Sequence, residues 1–190
     1  MNILHVDSSI TGDDSVSREI TQAIVAELTA ENGDAQVQYR DLVAKPLDHL
    51  TLPAFGEQDS QDVLAQFKAA DTVVIGAPMY NFTIPSQLKA WIDRLAVAGE
   101  TFRYTENGAE GLMGDKRVIV GIARGGLYGE DSAQRSVEHA ERYLQSVLGF
   151  MGITDITFVI AEGIKISDDA RTAAIASAHD QIRLLSSATV

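Results

Sequence analysis

The chain contains no cysteine, which excludes a disulfide framework, a thiolate nucleophile and any cysteine-held metal or iron–sulfur centre. Any redox chemistry therefore has to come from a bound cofactor. Cationic side chains are scarce: 15 Lys and Arg against 27 Asp and Glu leave a formal charge of −12. Binding to a nucleic-acid backbone is driven largely by Lys and Arg displacing counterions, so no nucleic acid is expected as a partner. An anionic membrane surface would repel the chain for the same reason. Long apolar runs are also missing, since nowhere do about eighteen apolar residues stand together as a spanning helix needs. The opening Met1-Asn2-Ile3-Leu4-His5-Val6-Asp7 lacks the basic and apolar regions of a secretory signal, and the expected location is the cytoplasm. Proline is rare, at 4 residues, and there is no internal repeat or Pro/Gly-rich linker, so residues 1–190 are expected to form one domain. His5, His49, His139 and His179 fall on different expected elements without ligand spacing, and no metal site is expected.

What is present is ordinary globular material, 45% hydrophobic and 22% charged. A chain of this size should bury about 70% of the surface it exposes when unfolded. Short apolar runs alternate with stretches of helical period, the pattern of a parallel sheet covered on both faces. The strand candidates are Asn2–Asp7, Ala35–Asp41, Thr72–Ala77, Arg117–Ala123 and Ile156–Ala161. Helices are expected over Ser17–Glu31, Asp62–Ala70, Ser86–Ala96 and Ser136–Met151, with a last one from a Ser167 cap to about Leu185. The expectation is an α/β three-layer sandwich whose five-stranded parallel sheet has the order 2-1-3-4-5. Leu42–Gln61 and Gly99–Asp115 read as irregular and longer than a connection needs, the second being a candidate lid or dimer arm.

Ligands of open α/β sheets sit beyond the carboxyl ends of the strands, where the winding reverses. For this order that is between the loops after the first and third strands, and both are chemically unusual. The first, Asp7-Ser8-Ser9-Ile10-Thr11-Gly12-Asp13-Asp14-Ser15-Val16-Ser17, has neither of the glycine-rich signatures for dinucleotides or nucleoside triphosphates. It offers hydroxyls and the free N–H groups of a helix start, a receptor for one terminal phosphate; a lone serine there would more often be a helix cap. The second, Pro78-Met79-Tyr80-Asn81-Phe82-Thr83-Ile84-Pro85, presents aromatic and thioether surface suited to a flat ring, though such side chains could equally be core. Pro85 is expected in the first turn of the next helix, and Trp91 is assigned to packing. A third loop, Ala123-Arg124-Gly125-Gly126, would let backbone approach a planar ligand, although a Gly-Gly pair alone is usually a turn.

Nanomolar binding needs about 12 kcal/mol, and hydrogen bonds to a charged group supply about 1.5–3 kcal/mol each. A few phosphate contacts would not suffice after ordering costs. A ligand with a phosphate at one end and a large apolar ring at the other would use both loops, and FMN has that shape.

These residues resemble the FMN-dependent NADH-azoreductases and quinone reductases of the flavodoxin-like superfamily. The resemblance runs through Asp7-Ser8-Ser9 with Ser15-Val16-Ser17, Pro78–Asp93, Phe102-Arg103-Tyr104-Thr105-Glu106-Asn107-Gly108, Arg124-Gly125-Gly126 and Leu148–Ile153, and so covers nearly the whole chain. It implies a homodimer that passes hydride from NADH or NADPH through N5 of bound FMN to quinones and aromatic azo compounds, with no obligatory catalytic side chain. Ser9, Ser15, Val16 and Ser17 would hold the phosphate and ribityl chain. Pro78, Met79, Tyr80, Asn81 and Phe82, with Ala123, Arg124, Gly125 and Gly126, would line the isoalloxazine. Phe102, Tyr104, Tyr128 and Phe150 would form the substrate pocket. Val16 and Ala123 stand where relatives often carry polar residues, so only their backbone could contribute. Tyr128 stands where a His is common, and the connection after the second strand is short. Three rival readings stay open at this stage: a flavodoxin-type electron carrier, an NAD(P)H:FMN reductase that releases its flavin, and a cofactor-free relative.

Overall fold

The computed structural model describes residues 1–187. The first strand, β1 (Asn2–Asp7), leads into helix α1 (Val16–Glu31), then come β2 (Gln36–Asp41), α2 (Gln58–Ala69), β3 (Thr72–Pro78) and α3 (Ser86–Ile92). A short hairpin follows, β4 (Phe102–Thr105) and β5 (Gly108–Gly111), then β6 (Arg117–Arg124), α4 (Ala140–Phe150), β7 (Asp155–Glu162) and α5 (Asp168–Ser187). The main sheet is parallel throughout, in the order β2-β1-β3-β6-β7. Counting only its five strands, this is the order expected.

Alternation along the strands assigns each residue to a face. Leu4, Val6, Val73, Ile75, Val118 and Val120 turn one way, into a core with Phe67 of α2, Leu88 and Trp91 of α3 and Leu144 of α4. Ile3, Val74, Ile119 and Val159 turn the other way, onto Ile20 and Ile24 of α1 and Ala178 and Ile182 of α5. Trp91 is a packing residue as expected, fully buried and edge-on to Phe67 at 6.0 Å. Gly76 marks the tightest spot between β1 and β3: a Cβ there would stand 2.3 Å from Asp7 Oδ1. No helix among the described residues is long and apolar enough to cross a membrane.

Boundaries differ from the sequence reading where side chains compete for backbone. Helix α2 starts at Gln58, not Asp62, behind a 3₁₀ turn at Pro53–Gly56, so the stretch read as irregular up to Gln61 holds a helical turn. Helix α3 stops at Ile92, not Ala96: the buried Arg94 donates to Ala90 O and ties the chain to Ser60 Oγ and Asp48 O. Pro85 is its extended N-cap, not a first-turn residue. Helix α4 starts at Ala140 instead of Ser136, because Glu138 is extended and its carboxylate accepts the Glu141 N–H at 2.9 Å. The Ser167 cap is where expected, accepting from Ala170 N at 3.1 Å. The segment 99–115 is ordered around the β4–β5 hairpin rather than irregular.

Candidate functional site

At the carboxyl end of β1 the chain folds into a loop whose hydroxyls are nearly all inside. Ser8 is committed to structure, its hydroxyl donating to Gly76 O at 2.6 Å. Ser9 and Ser17 are 1% exposed and Ser15 5%. Their partners are mostly other hydroxyls of the loop: Ser9 Oγ lies 3.0 Å from Thr11 Oγ1, and Ser15 Oγ lies 3.1 Å from Ser17 Oγ. Ser15 also caps α1 by accepting from Arg18 N at 3.3 Å, as the cap reading expects, and its hydroxyl lines the cavity described below. The first N–H groups of a helix have no intrahelical partner, and those of Val16 and Ser17 therefore face the same loop.

Arg18 fixes this loop from behind. Its guanidinium pairs with both oxygens of Asp41 at 2.8 and 2.9 Å and donates to Ser9 O at 3.0 Å. The hydrogen bond from Arg18, helped by the Val43 and Ala44 N–H groups, holds the Asp41 carboxyl below the ordinary range. The Tyr39 phenol is pushed up to about 12, first by burial and then by the neighbouring Asp7 carboxylate, to which it donates at 3.1 Å.

The loop after β3 is a two-residue hairpin. Tyr80 N–H donates to Thr83 O at 2.9 Å and Thr83 N–H to Tyr80 O at 3.1 Å, with Asn81 at φ 47° and Phe82 at φ 72°. Positive φ at both central residues is the type I′ arrangement, which favours Asn followed by Gly. Asn81 suits it. Phe82 does not: a left-handed backbone costs an L-residue roughly 1–2 kcal/mol, and here it leaves a Phe ring 48% exposed, edge-on to Tyr128 at 6.4 Å. Tyr80 links this turn to the serine loop, its hydroxyl accepting from Ile10 N at 3.2 Å and lying 3.4 Å from Ser9 Oγ.

Beyond the sheet the two central strands stay in register. Met79 N–H donates to Ala123 O, while Gly163, Ile164 and Lys165 donate to Gly126, Arg124 and Gly125 carbonyls. The result is a cavity of about 350 Å³ between the loops, within the range of small-ligand sites. Ser9, Ser15, Val16, Ser17, Pro78, Met79, Tyr80, Ala123 and Gly125, all sequence candidates, line it together. Asn81 lies on the far side of Tyr80, in an adjoining cavity of about 500 Å³ that Tyr80 also lines. Phe82 and Gly126 gather near Tyr128 at the edge. The Arg124 side chain turns inward, 1% exposed, among glutamates. Phe102, Tyr104 and Phe150 form a cluster of their own on the hairpin and α4, with centroids 5.4 and 4.7 Å from Phe102.

Sequence reasoning missed Thr11, Asp14, Ile164, Lys165 and Arg171, which complete the lining. The last three come from the loop after β7 and the start of α5. The carboxyl-end rule covers that loop too, and Lys165 and Arg171 were the legible signal, two cations in a chain short of them. Arg171 donates to Asp14 O at 3.2 Å.

The residues fit an FMN. Three serine hydroxyls on residues at least nine-tenths buried, and a helix start, stand on the β1 loop, and Pro78, Met79 and Ala123 on the β3 and β6 ends, all lining one cavity. Fold and site together define a flavodoxin-like protein built to hold a mononucleotide with a flat ring. The sequence model described as Flavodoxin-like fold matches residues 1–185, and the chain belongs to that family. It is 53% identical, over an alignment 197 positions long, to an FMN-dependent NADH:quinone oxidoreductase of Sinorhizobium fredii, covering 96% of this chain and 95% of that one. Identity is 51%, with the same coverage, to the enzyme of that name from Rhizobium meliloti. Among solved structures, the azoreductase AzrA superposes with a TM-score of 0.89 at 30% identity, over 97% of this chain and 98% of its own. An FMN-dependent NADH-azoreductase of Bacillus anthracis, in complex with FMN, gives 0.86 at 26% identity over 98% of each chain.

Proposed function

We propose that this chain is an FMN-dependent NADH:quinone oxidoreductase that also reductively cleaves aromatic azo compounds. The observation that carries this reading is the single cavity joining buried serine hydroxyls and a helix start to an apolar floor at the sheet's reversal point. The relatives' names and the FMN-bound azoreductase support the same cofactor and donor. When bound, FMN would supply the redox chemistry, two electrons from NADH per cycle in ping-pong order, so that one cycle takes a quinone to hydroquinone and two cycles, four electrons in all, cleave an azo compound to two amines.

The residues bind and orient. Ser9, Ser15 and Ser17 and the N–H groups of Val16 and Ser17 hold the phosphate, with Lys165 and Arg171 at the rim offsetting its charge. Pro78, Met79 and Tyr80 floor the ring, while the backbones of Ala123, Arg124, Gly125 and Gly126 border it. Asn81 and Phe82, presented by the strained turn, meet its edge with Tyr128. The protein acts as a homodimer in which the β4–β5 arm offers Phe102 and Tyr104, and the end of α4 offers Phe150, to the neighbouring site; Tyr104 is 76% exposed and Phe150 41%. A cytoplasmic location and a protective role against electrophilic quinones complete this reading. Identity near 50% to named oxidoreductases, over almost the full length, favours it over an electron carrier.

The test is an absorption spectrum of the purified protein with FMN, before and after anaerobic NADH. Bleaching of the flavin bands, restored by benzoquinone, is the expected result. A spectrum untouched by NADH would remove the enzyme reading.

A further inference from the structure

Beside the ring end of the cavity lies an ionic cluster, buried at Arg124 and Glu138, that the proposed reaction does not use. The Arg124 guanidinium is 2.7 Å from Glu141, 3.3 Å from Glu138 and 3.6 Å from Glu162. Arg135 closes the group, 3.0 Å from Glu141 and 3.7 Å from Glu138. Two guanidiniums thus face three carboxylates, a formal charge of −1. Glu138 is wholly buried, and its Oε2 has no hydrogen-bond partner.

Packing alone is a poor reason for such a group, because apolar side chains of similar volume are often as stable or more so than a buried ion pair. What it ties together is specific. Arg124 stands between Ala123 and Gly125, which both line the cavity. Glu162 accepts the Tyr128 N–H at 2.9 Å. Glu138 holds the start of α4 through the Glu141 N–H, and the adjacent His139 N–H donates to Phe82 O at 2.9 Å. Both turns on the ring side therefore hang from this cluster.

We propose that the Arg124–Glu138–Glu141–Glu162–Arg135 cluster lowers the reduction potential of the bound flavin, by fixing its own formal charge of −1, counted apart from Lys165 and Arg171 at the phosphate rim, beside the ring end of the cavity. Arg124 is the positioning residue that keeps the charge there. This rests on the FMN reading above. A reduced flavin carries more negative charge than an oxidised one, so a nearby anion disfavours it. The donor half of the cycle is opposed slightly and delivery to the acceptor is favoured.

The experiment is a spectroscopic redox titration of FMN-loaded protein in three variants. Glu138→Gln and Glu162→Gln each remove a negative charge while keeping shape and an acceptor oxygen. Arg135→Gln, on a side chain 25% exposed, makes the cluster more negative. The two Glu variants should favour reduced over oxidised FMN by about tenfold relative to the parent, a shift of about +30 mV for a two-electron couple; Arg135→Gln should shift it down. Shifts that fail to follow the sign of the charge change, or no shift at all, overturn the proposal. If Glu138→Gln does not fold, Glu162→Gln and Arg135→Gln carry the comparison, both being partly exposed. A parent protein that takes up no FMN would instead refute the cofactor reading.

Discussion

The two ends of the cavity are built on opposite principles. At the serine end every element is locally content: a capped 16-residue helix, a hydroxyl network and an Arg18–Asp41 pair bracing the loop through Ser9 O. At the ring end the turn is strained, with Phe82 held at φ 72° where a Gly would suit. The difference separates two tasks. In the proposed function the serine end grips the phosphate, which does not change between substrates, and a relaxed site can be stiff. The ring edge must meet changing partners, and there backbone energy is traded for presenting an aromatic side chain in a set direction.

The largest blow to the relaxed end would be Arg18→Ala. It leaves Asp41 and the nearby Asp7 without their cation, and loss of one partner from a largely buried pair costs about 3 kcal/mol or more. We expect a lower urea midpoint and weaker FMN retention together. Unchanged stability would mean that the brace is not needed and that the two ends do not differ in this way.

Ser17→Ala should act on affinity without that cost in stability. Its hydroxyl is not the cap, and a hydrogen bond to a charged phosphate is worth about 1.5–3 kcal/mol, or roughly ten- to a hundredfold in Kd. Ser15→Ala should weaken FMN similarly and also cost about 1 kcal/mol of stability, since Ser15 is the N-cap. Fluorescence quenching for Kd and thermal melting for stability separate the two; equal melting losses in both would contradict the division of labour.

Phe82→Gly tests the strained end, and its sign should be reversed. Relief of the left-handed penalty, less the added freedom of an unfolded glycine, leaves a gain of up to about 1 kcal/mol. FMN affinity should change by less than about threefold, while KM for quinone rises with loss of the ring. A variant that melts earlier than the parent would show that the turn stores no strain.

The sheet, its order and the gathering of the serine loop at one cavity were legible because they rest on local signals: apolar runs, helical period and hydroxyls after a strand. Even Ser15's cap follows from the preference of serine for helix starts. The helix starts and stops were less legible, since Arg94 and Glu138 set them by reaching backbone groups brought near by the fold. Lys165 and Arg171 reach the cavity only because the segment after β7 runs beside Arg124–Gly126. The strain at Phe82 was hidden too. Asn81-Phe82 lacks the Asn-Gly signature of the turn it adopts, so only the folded backbone reveals it.

The smallest effect is one of slope, and it returns to the relaxed end. Asp41 has a folded-state pKa below its unfolded value because Arg18 and two backbone N–H groups favour the carboxylate. Its contribution is therefore complete above the unfolded value near 3.9 and is lost as pH falls through the lower, folded one. Asp41→Asn cannot take up that proton. Between about pH 5 and pH 2.5 its urea midpoint should fall less steeply than the parent's, by at most about one proton's worth of slope. The ring-end turn carries no such group at Asn81 or Phe82, so Phe82→Gly should leave the slope as it is. Parallel acid profiles for Asp41→Asn and the parent would mean that Arg18 braces the loop through Ser9 O alone.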